Sequence, residues 1–298
     1  MKSLPTEENF LGISEPEFFN YESSKVVIQQ VPYEYTSSYL QGSKFGPKAM
    51  VEASHFVEFY DEETDSEAFK NFGIATMPEL DFTDLTDEAA INYIESETST
   101  HLDNNKFVVS FGAEHTVTLG FVKALKKQHT EFTLLQIDAH SDLRLEYHDN
   151  PYSHASVMAR VHELGVPLCQ IGIRAQCKQE ADLIKSSPII NTWYAHMLDR
   201  DDKWMDACIE KLGEKVYISI DADGFDPSVM PAVGTAEPGG LEWGQGLRFL
   251  KKVVKARKII GFDIVECAPK EGEILTQFNC AKLAYKILCY INSENGFQ

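Results

Sequence analysis

Nowhere in the 298 residues does an apolar run approach the roughly 18 needed to cross a bilayer, and the opening MKSLPTEENF lacks the apolar stretch of a secretory leader. A cytoplasmic location is the expectation. Basic residues are scarce: 27 Lys and Arg stand against 46 Asp and Glu, a net charge of −19. That balance disfavours nucleic acid and anionic membrane surfaces as partners, and it would attract a small cation. The six cysteines contain no C-x-x-C pair and no framework of the kind small secreted domains use, so they read as reduced core thiols. Also missing are a Pro/Ser-rich or low-complexity linker and any repeat of roughly 20 to 50 residues. The expectation is a single domain over residues 1–298.

What is present is alternation. Short Val/Ile/Phe-rich runs occur at 25–31, 106–112, 132–138, 167–173, 215–221 and 258–265, several of them apolar on consecutive residues, as strands covered on both faces are. Between them lie helical patterns at 47–60, 117–128, 154–164, 202–212, 242–256 and 276–290; Pro47 opens the first and Gly213 follows the fourth. Strand and helix in turn predict an α/β fold, a single-domain three-layer α/β/α sandwich around a mostly parallel sheet.

In such a sheet the functional crevice lies at the carboxyl ends of the strands, and four of the runs end in metal-type residues. His115 follows the second; Asp138, His140 and Asp142 follow the third; Asp221 and Asp223 close the fifth; Asp263 and Glu266 lie in and after the last. Residues two apart on an extended chain point the same way, so Asp138 with His140, and Asp221 with Asp223, can each aim two ligands into one crevice. Any one of these acids could instead cap a helix or form a turn. Caps do not account for two histidines, nor for so many carboxylates on one edge, where unpaired acids would repel and acquire raised pKa values.

Four aspartates and two histidines without a thiolate suit a fairly hard divalent ion that accepts imidazole, Mn²⁺ before a closed structural zinc. Six ligands exceed the need of one catalytic ion; two ions sharing carboxylates fit the number and imply hydrolysis by an activated water.

GAEHT (112–116), DAHSD (138–142), SIDADGFDP (219–227) and DIVECAP (263–269) together resemble, in order and spacing, the four motifs of the ureohydrolases, the family of arginase and agmatinase. GSKFGPKAM (42–50) is similar to the family's N-terminal segment, and the resemblance covers about residues 30–290. It implies two Mn²⁺ ions per subunit, one held by His115, Asp138, Asp142 and Asp221, the other by His140, Asp138, Asp221 and Asp223, with Asp138 and Asp221 bridging. It further implies attack on a guanidinium carbon with release of urea, Asp142 helping to move the proton. Glu266 would bind the guanidinium and His154, in YSHASVMAR, would shuttle a proton to the leaving amine. Homo-oligomers, trimers or hexamers, are implied as well.

The chain departs from the family pattern at Ala113 and Glu114, where many relatives carry Gly and Asp, and at Ala232 and Ala236, where Gly and Pro are commoner. No ligand is lost. The S-H-A-S segment looks like agmatinase, so agmatine, a cationic guanidino compound, is the expected substrate. Arg144 pulls toward a carboxylate-bearing substrate, which keeps formimidoylglutamate and guanidino acids as alternatives. A related deacetylase would use one zinc and a His-His pair, which this chain lacks; a metallophosphatase would carry G-D-x-H-G, also lacking. A non-catalytic metal-bound relative would have lost a ligand or Glu266, and all are present. The Pro/Gly-rich 226–240 stretch reads as a constrained loop shaping the site, and the acidic run at 60–69 as a solvated loop.

Overall fold

The computed structural model describes residues 1–198 and 201–297. Among them eight strands form one sheet: β1 (Val26–Val31), β2 (Ile74–Thr76), β3 (Phe107–Gly112), β4 (Thr133–Ile137), β5 (Leu168–Ile173), β6 (Ile190–Tyr194), β7 (Lys215–Asp221) and β8 (Lys258–Val265). Their order is β2-β1-β3-β8-β7-β4-β5-β6, and all neighbours are parallel. Consecutive residues of a strand face opposite layers. In β4, Leu135 and Ile137 join one apolar cluster and Leu134 the other, which is why these strands read as unbroken apolar runs.

The helices are α1 (Gly46–Ser54), α2 (Phe69–Phe72), α3 (Asp87–Asp103), α4 (Thr118–Gln128), α5 (Val157–Glu163), α6 (Lys178–Ser186), α7 (Lys203–Ile209), α8 (Trp243–Ala256) and α9 (Leu275–Glu294). Buried side chains of α1, α7, α8 and α9 share one cluster, and those of α3, α4 and α5 share the other. The sheet is thus sandwiched between two helical layers.

All six expected strands are present; β2 and β6, at the two edges, were not anticipated because they are short and, in β6, half-exposed. The first helix stops at Ser54 rather than 60. There the Ser54 hydroxyl accepts the Leu11 N–H (2.7 Å) and donates to Val51 O (2.6 Å), a long-range contact that local pattern does not announce. The helix at α3 also went unanticipated: its buried stripe of Ala90, Ile91, Ile94, Thr98, His101 and Leu102 is interrupted by polar residues.

Those polar residues meet polar positions of the sheet. Gln29, Ser110, Asp263, Ser219, Gln136, Gln170 and Thr192 stand side by side on successive strands, in register from β1 to β6. The row lies on the α3/α4 side and all but Thr192 are buried. Buried polar groups are costly unless bonded. Here Thr98 donates to Gln29 Oε1 (3.0 Å), while Tyr217 OH (2.6 Å), Ser219 Oγ (2.8 Å) and Thr118 Oγ1 (3.1 Å) all donate to Asp263.

The acidic run at 60–69 is not simply solvated. It folds around Lys286 of α9, whose buried ammonium lies 2.8 Å from Asp61, 3.0 Å from Glu62 and 3.1 Å from Glu63. Burial would raise the Glu63 carboxyl, but hydrogen bonds from Lys251, Lys286 and Tyr290 outweigh it and hold it down to about 2.

Lys286→Met leaves the buried Asp61 without its counter-ion and should lower the unfolding free energy by about 3 kcal/mol, read from the urea midpoint. The Glu63 contribution is present above its ordinary pKa of 4.5 and is lost as pH falls toward 2, so acid titration between those values should destabilise the variant less than the parent. An unchanged midpoint and an unchanged acid limb would contradict this account.

Candidate active site

The carboxyl ends of β3, β8, β7 and β4, the four adjacent central strands, deliver the site. His115 opens the turn after β3, Glu266 follows β8, Asp221 ends β7 with Asp223 in the next turn, and Asp138, His140 and Asp142 leave β4. Two of these turns lie in backbone contact at Gly224, where a Cβ would stand 2.6 Å from the Asp138 nitrogen; only glycine lets the chains approach this closely.

The ligand-type atoms converge in two overlapping groups. His115 Nδ1 lies 2.9 Å from Asp138 Oδ2, 3.0 Å from Asp142 Oδ2 and 3.5 Å from Asp221 Oδ2. His140 Nδ1 lies 3.0 Å from Asp223 Oδ2 and 3.7 Å from Asp138 Oδ1. Asp138 therefore turns one oxygen to each group. Asp221 reaches the first group through Oδ2, and its Oδ1 accepts the Asp223 N–H (2.8 Å).

Whether a cation suits these residues can be tested at His115. Its Nε2 lies 2.8 Å from Ser219 Oγ, and the Ser219 hydroxyl proton goes to Asp263 Oδ1, so Nε2 must carry a proton. Nδ1 is buried, without a hydrogen-bond partner of good geometry, and faces three carboxylate oxygens; burial alone would lower the His115 pKa, but Asp138, Asp142 and Asp221 raise it well above its ordinary value, so in the free protein a proton takes this position. A divalent ion can replace that proton and accept electron pairs from the nitrogen and all three oxygens at once. The donor set fits a metal.

Protonation energetics report the same crowding. Burial, then the neighbouring Asp138, pushes Asp142 up to about 7. Burial, then Asp223 and Asp138, raises Asp221 well above the usual range. Burial alone would raise Asp138 too, but His115 and His140 hold it low. Burial, then Glu114, pushes Glu266 up to about 8.

A cavity of about 210 Å³ opens over this floor, lined by His115, His140, Asp142, Asp221, Asp223 and Glu266 below and by Ser37, Ser38, Tyr39, Leu40, Arg144, Tyr147, His154 and Thr235 around the mouth. Glu266 accepts the His115 N–H (2.9 Å), and among the described residues no Lys or Arg forms an ion pair with it. His154 sits at the first turn before α5, its Nδ1 3.1 Å from Thr36 Oγ1 and its Nε2 3.4 Å from Ser38 Oγ. Burial, then the charges of His140 and His115, pushes its pKa down to about 4 from the ordinary imidazole value of 6.5. Arg144 lines the same cavity, its guanidinium over the Tyr147 ring (5.2 Å) and its Nε 3.9 Å from Glu180 Oε2, too far for a hydrogen bond.

Several residues of the site carry no signal in the sequence. The segment bearing Thr36 and Ser38 is pinned by Glu114, whose Oε2 accepts the N–H groups of Thr36 (2.7 Å) and Tyr35 (3.1 Å). Glu180 of α6 accepts from Ser141 Oγ and Leu143 N (both 2.9 Å), on either side of Asp142. Asp142 and Glu266 have φ of 52° and 61°, a strained conformation for non-glycine residues; at Asp142 this clamp holds it in place. Topology alone brings these groups together. The histidines without an expected role stay outside: His101, for example, bonds Tyr21 and His55 bonds Asn9 O.

The Arginase family model matches residues 24–290. N(1)-aminopropylagmatine ureohydrolase of Synechocystis is 40% identical over 277 residues, covering 91% of this chain and 90% of its own. Agmatinase of Bacillus cereus is 33% identical, covering 84% and 86%. Among solved structures, the agmatine ureohydrolase of Thermoplasma volcanium superposes with a TM-score of 0.81 at 29% identity, over 98% of this chain and 95% of that one. A family match across nearly the whole fold, with relatives of this identity over most of both chains, makes the chain a member of the arginase family, an enzyme of the ureohydrolase group.

Proposed function

We propose that the protein hydrolyses the guanidino group of a linear cationic alkylguanidine, releasing urea and an amine, with two Mn²⁺ ions held by His115, Asp138, His140, Asp142, Asp221 and Asp223. The observation that carries this reading is the convergence of the buried His115 Nδ1 with three carboxylate oxygens at the floor of an open cavity. The chemistry such cations supply is a water acidic enough to react near neutral pH. Glu266 offers the guanidinium a carboxylate, and Asp142, beside the reacting water, accepts its proton. His154, uncharged near neutrality, takes up a proton and passes it to the departing amine; the hydroxyls of Thr36 and Ser38 aim its ring.

Two substrates are close enough to name. Agmatine would yield putrescine; N(1)-aminopropylagmatine, named in the relatives at 35 to 40% identity, would yield the corresponding triamine. We favour the longer one. The exposed Tyr39 ring at the mouth offers a face to an ammonium group of such a substrate. The same reading takes residues 1–298 as one catalytic unit, acting as a homo-oligomer, a trimer or hexamer, in the cytoplasm.

Chelator-stripped protein reloaded with Mn²⁺ should release urea fastest from N(1)-aminopropylagmatine, then agmatine, and far more slowly from arginine, guanidino acids or formimidoylglutamate. Faster turnover of any carboxylate-bearing compound would overturn the cationic-tail reading. Asp142→Ala and Asp221→Ala should each lose bound manganese, measured by elemental analysis, together with activity; full metal content in both would refute the ligand set. His154→Ala should cut kcat by about 10²-fold while metal content stays at the wild-type level.

A further inference from the structure

We propose that Gln136, backed by Gln170 and Thr192, is a positioning residue for Asp138: a one-way line of hydrogen-bond donors that fixes how the shared carboxylate faces its two ligand groups. The inference rests on the metal reading above and goes beyond it, because these three residues are placed outside the ligand set.

The line starts at the edge of the sheet. Thr192 Oγ1 on β6 donates to Gln170 Oε1 on β5 (2.8 Å), Gln170 Nε2 donates to Gln136 Oε1 on β4 (2.7 Å), and Gln136 Nε2 donates to Asp138 Oδ2 (2.7 Å). Which end of each amide carries the nitrogen is normally a choice between two nearly equivalent shapes. Here two backbone carbonyls decide it: Gln136 Nε2 also faces His140 O (3.1 Å) and Gln170 Nε2 also faces Ser141 O (2.9 Å), and a carbonyl can only accept.

The direction has a consequence at the site. Flipping Gln136 would set its carbonyl oxygen against both Asp138 Oδ2 and His140 O, so the bond to Asp138 holds only while Gln170 keeps donating from behind. Both glutamines are fully buried, so water cannot substitute for a lost partner. Because the same amides grip His140 O and Ser141 O, the line fixes three points of the turn that carries Asp138, His140 and Asp142. Groups that orient metal ligands in this way commonly change metal affinity by about 10- to 100-fold when removed.

The test is Mn²⁺ binding to chelator-stripped protein by titration calorimetry, with thermal midpoints of the stripped proteins recorded beside it. Gln136→Met and Gln170→Met should each weaken binding by about tenfold or more, although Gln170 touches no ligand side chain. Thr192→Val should weaken it in the same direction and Thr192→Ser should restore it; this edge pair keeps the test decisive if either glutamine variant does not fold. Thr98→Val is the control, since it removes the equivalent hydroxyl bond to Gln29 in the same polar row, with no connection to a ligand. It should lower the thermal midpoint and leave Mn²⁺ affinity intact. Affinities of the relay variants within about twofold of wild type, or an equal loss in Thr98→Val, would overturn the proposal while the metal site stood. Wild-type protein that bound no Mn²⁺ would remove the metal reading itself and the relay with it.

Discussion

Four buried aspartates and two histidines cannot share one crevice as bare charges, and the rest of the molecule is arranged around that conflict. Attraction between neighbouring groups resolves part of it: the two histidines hold Asp138 low while Asp142 and Asp221 are pushed up. A single proton on His115 Nδ1 cannot serve three carboxylate oxygens at once, whereas a divalent cation can. A ureohydrolase needs such a centre to activate water. The electrostatic tension of the fold and its chemical use thus arise in the same few side chains.

That tension requires a stiff foundation. The site rises from the carboxyl ends of four adjacent strands, and directly beneath it a row of polar side chains crosses the sheet where a purely apolar layer would have served packing better. Most of the row is bonded: Asp263 gathers three donors, Ser219 ties it to His115, and Thr192, Gln170 and Gln136 bond in line, while the Gln29 amide nitrogen alone among these is left without a partner. Side chains so constrained have few alternative rotamers, and the ligands above them inherit that constraint. The positive φ of Asp142, clamped on both sides by Glu180, belongs to the same pattern of strain held where function needs it.

Around the mouth the chemistry changes from fixed charge to hydroxyls and aromatic faces. The segment at 33–43 is stapled from within by two carboxylates, Glu114 holding Tyr35 and Thr36, and Glu34 holding Gly42 and Ser43. His154 therefore lies between a segment anchored next to the ligand-type residues and the start of α5. A departure from the family motif, Glu114 beside His115, connects the floor of the cavity to its rim.

Much was legible from residue order alone. Unbroken apolar runs ending in Asp and His specified six strands, the end of the sheet at which the site lies and all six ligand-type residues, because a strand's periodicity and the chemistry of its last residues are local properties. The helix at α3 and the edge strands β2 and β6 were not legible, since their patterns are set by partners across the sheet. Nor could the sequence say that motifs following the second, third, fifth and sixth anticipated strands come from neighbours: that depends on the order β3-β8-β7-β4, which crossover connections decide. The sequence by itself determined which atoms could bind a metal. Only tertiary structure decided that Asp138 faces two ways and that Gln136, Gln170 and Thr192 stand in line, because each depends on register between strands far apart in the chain.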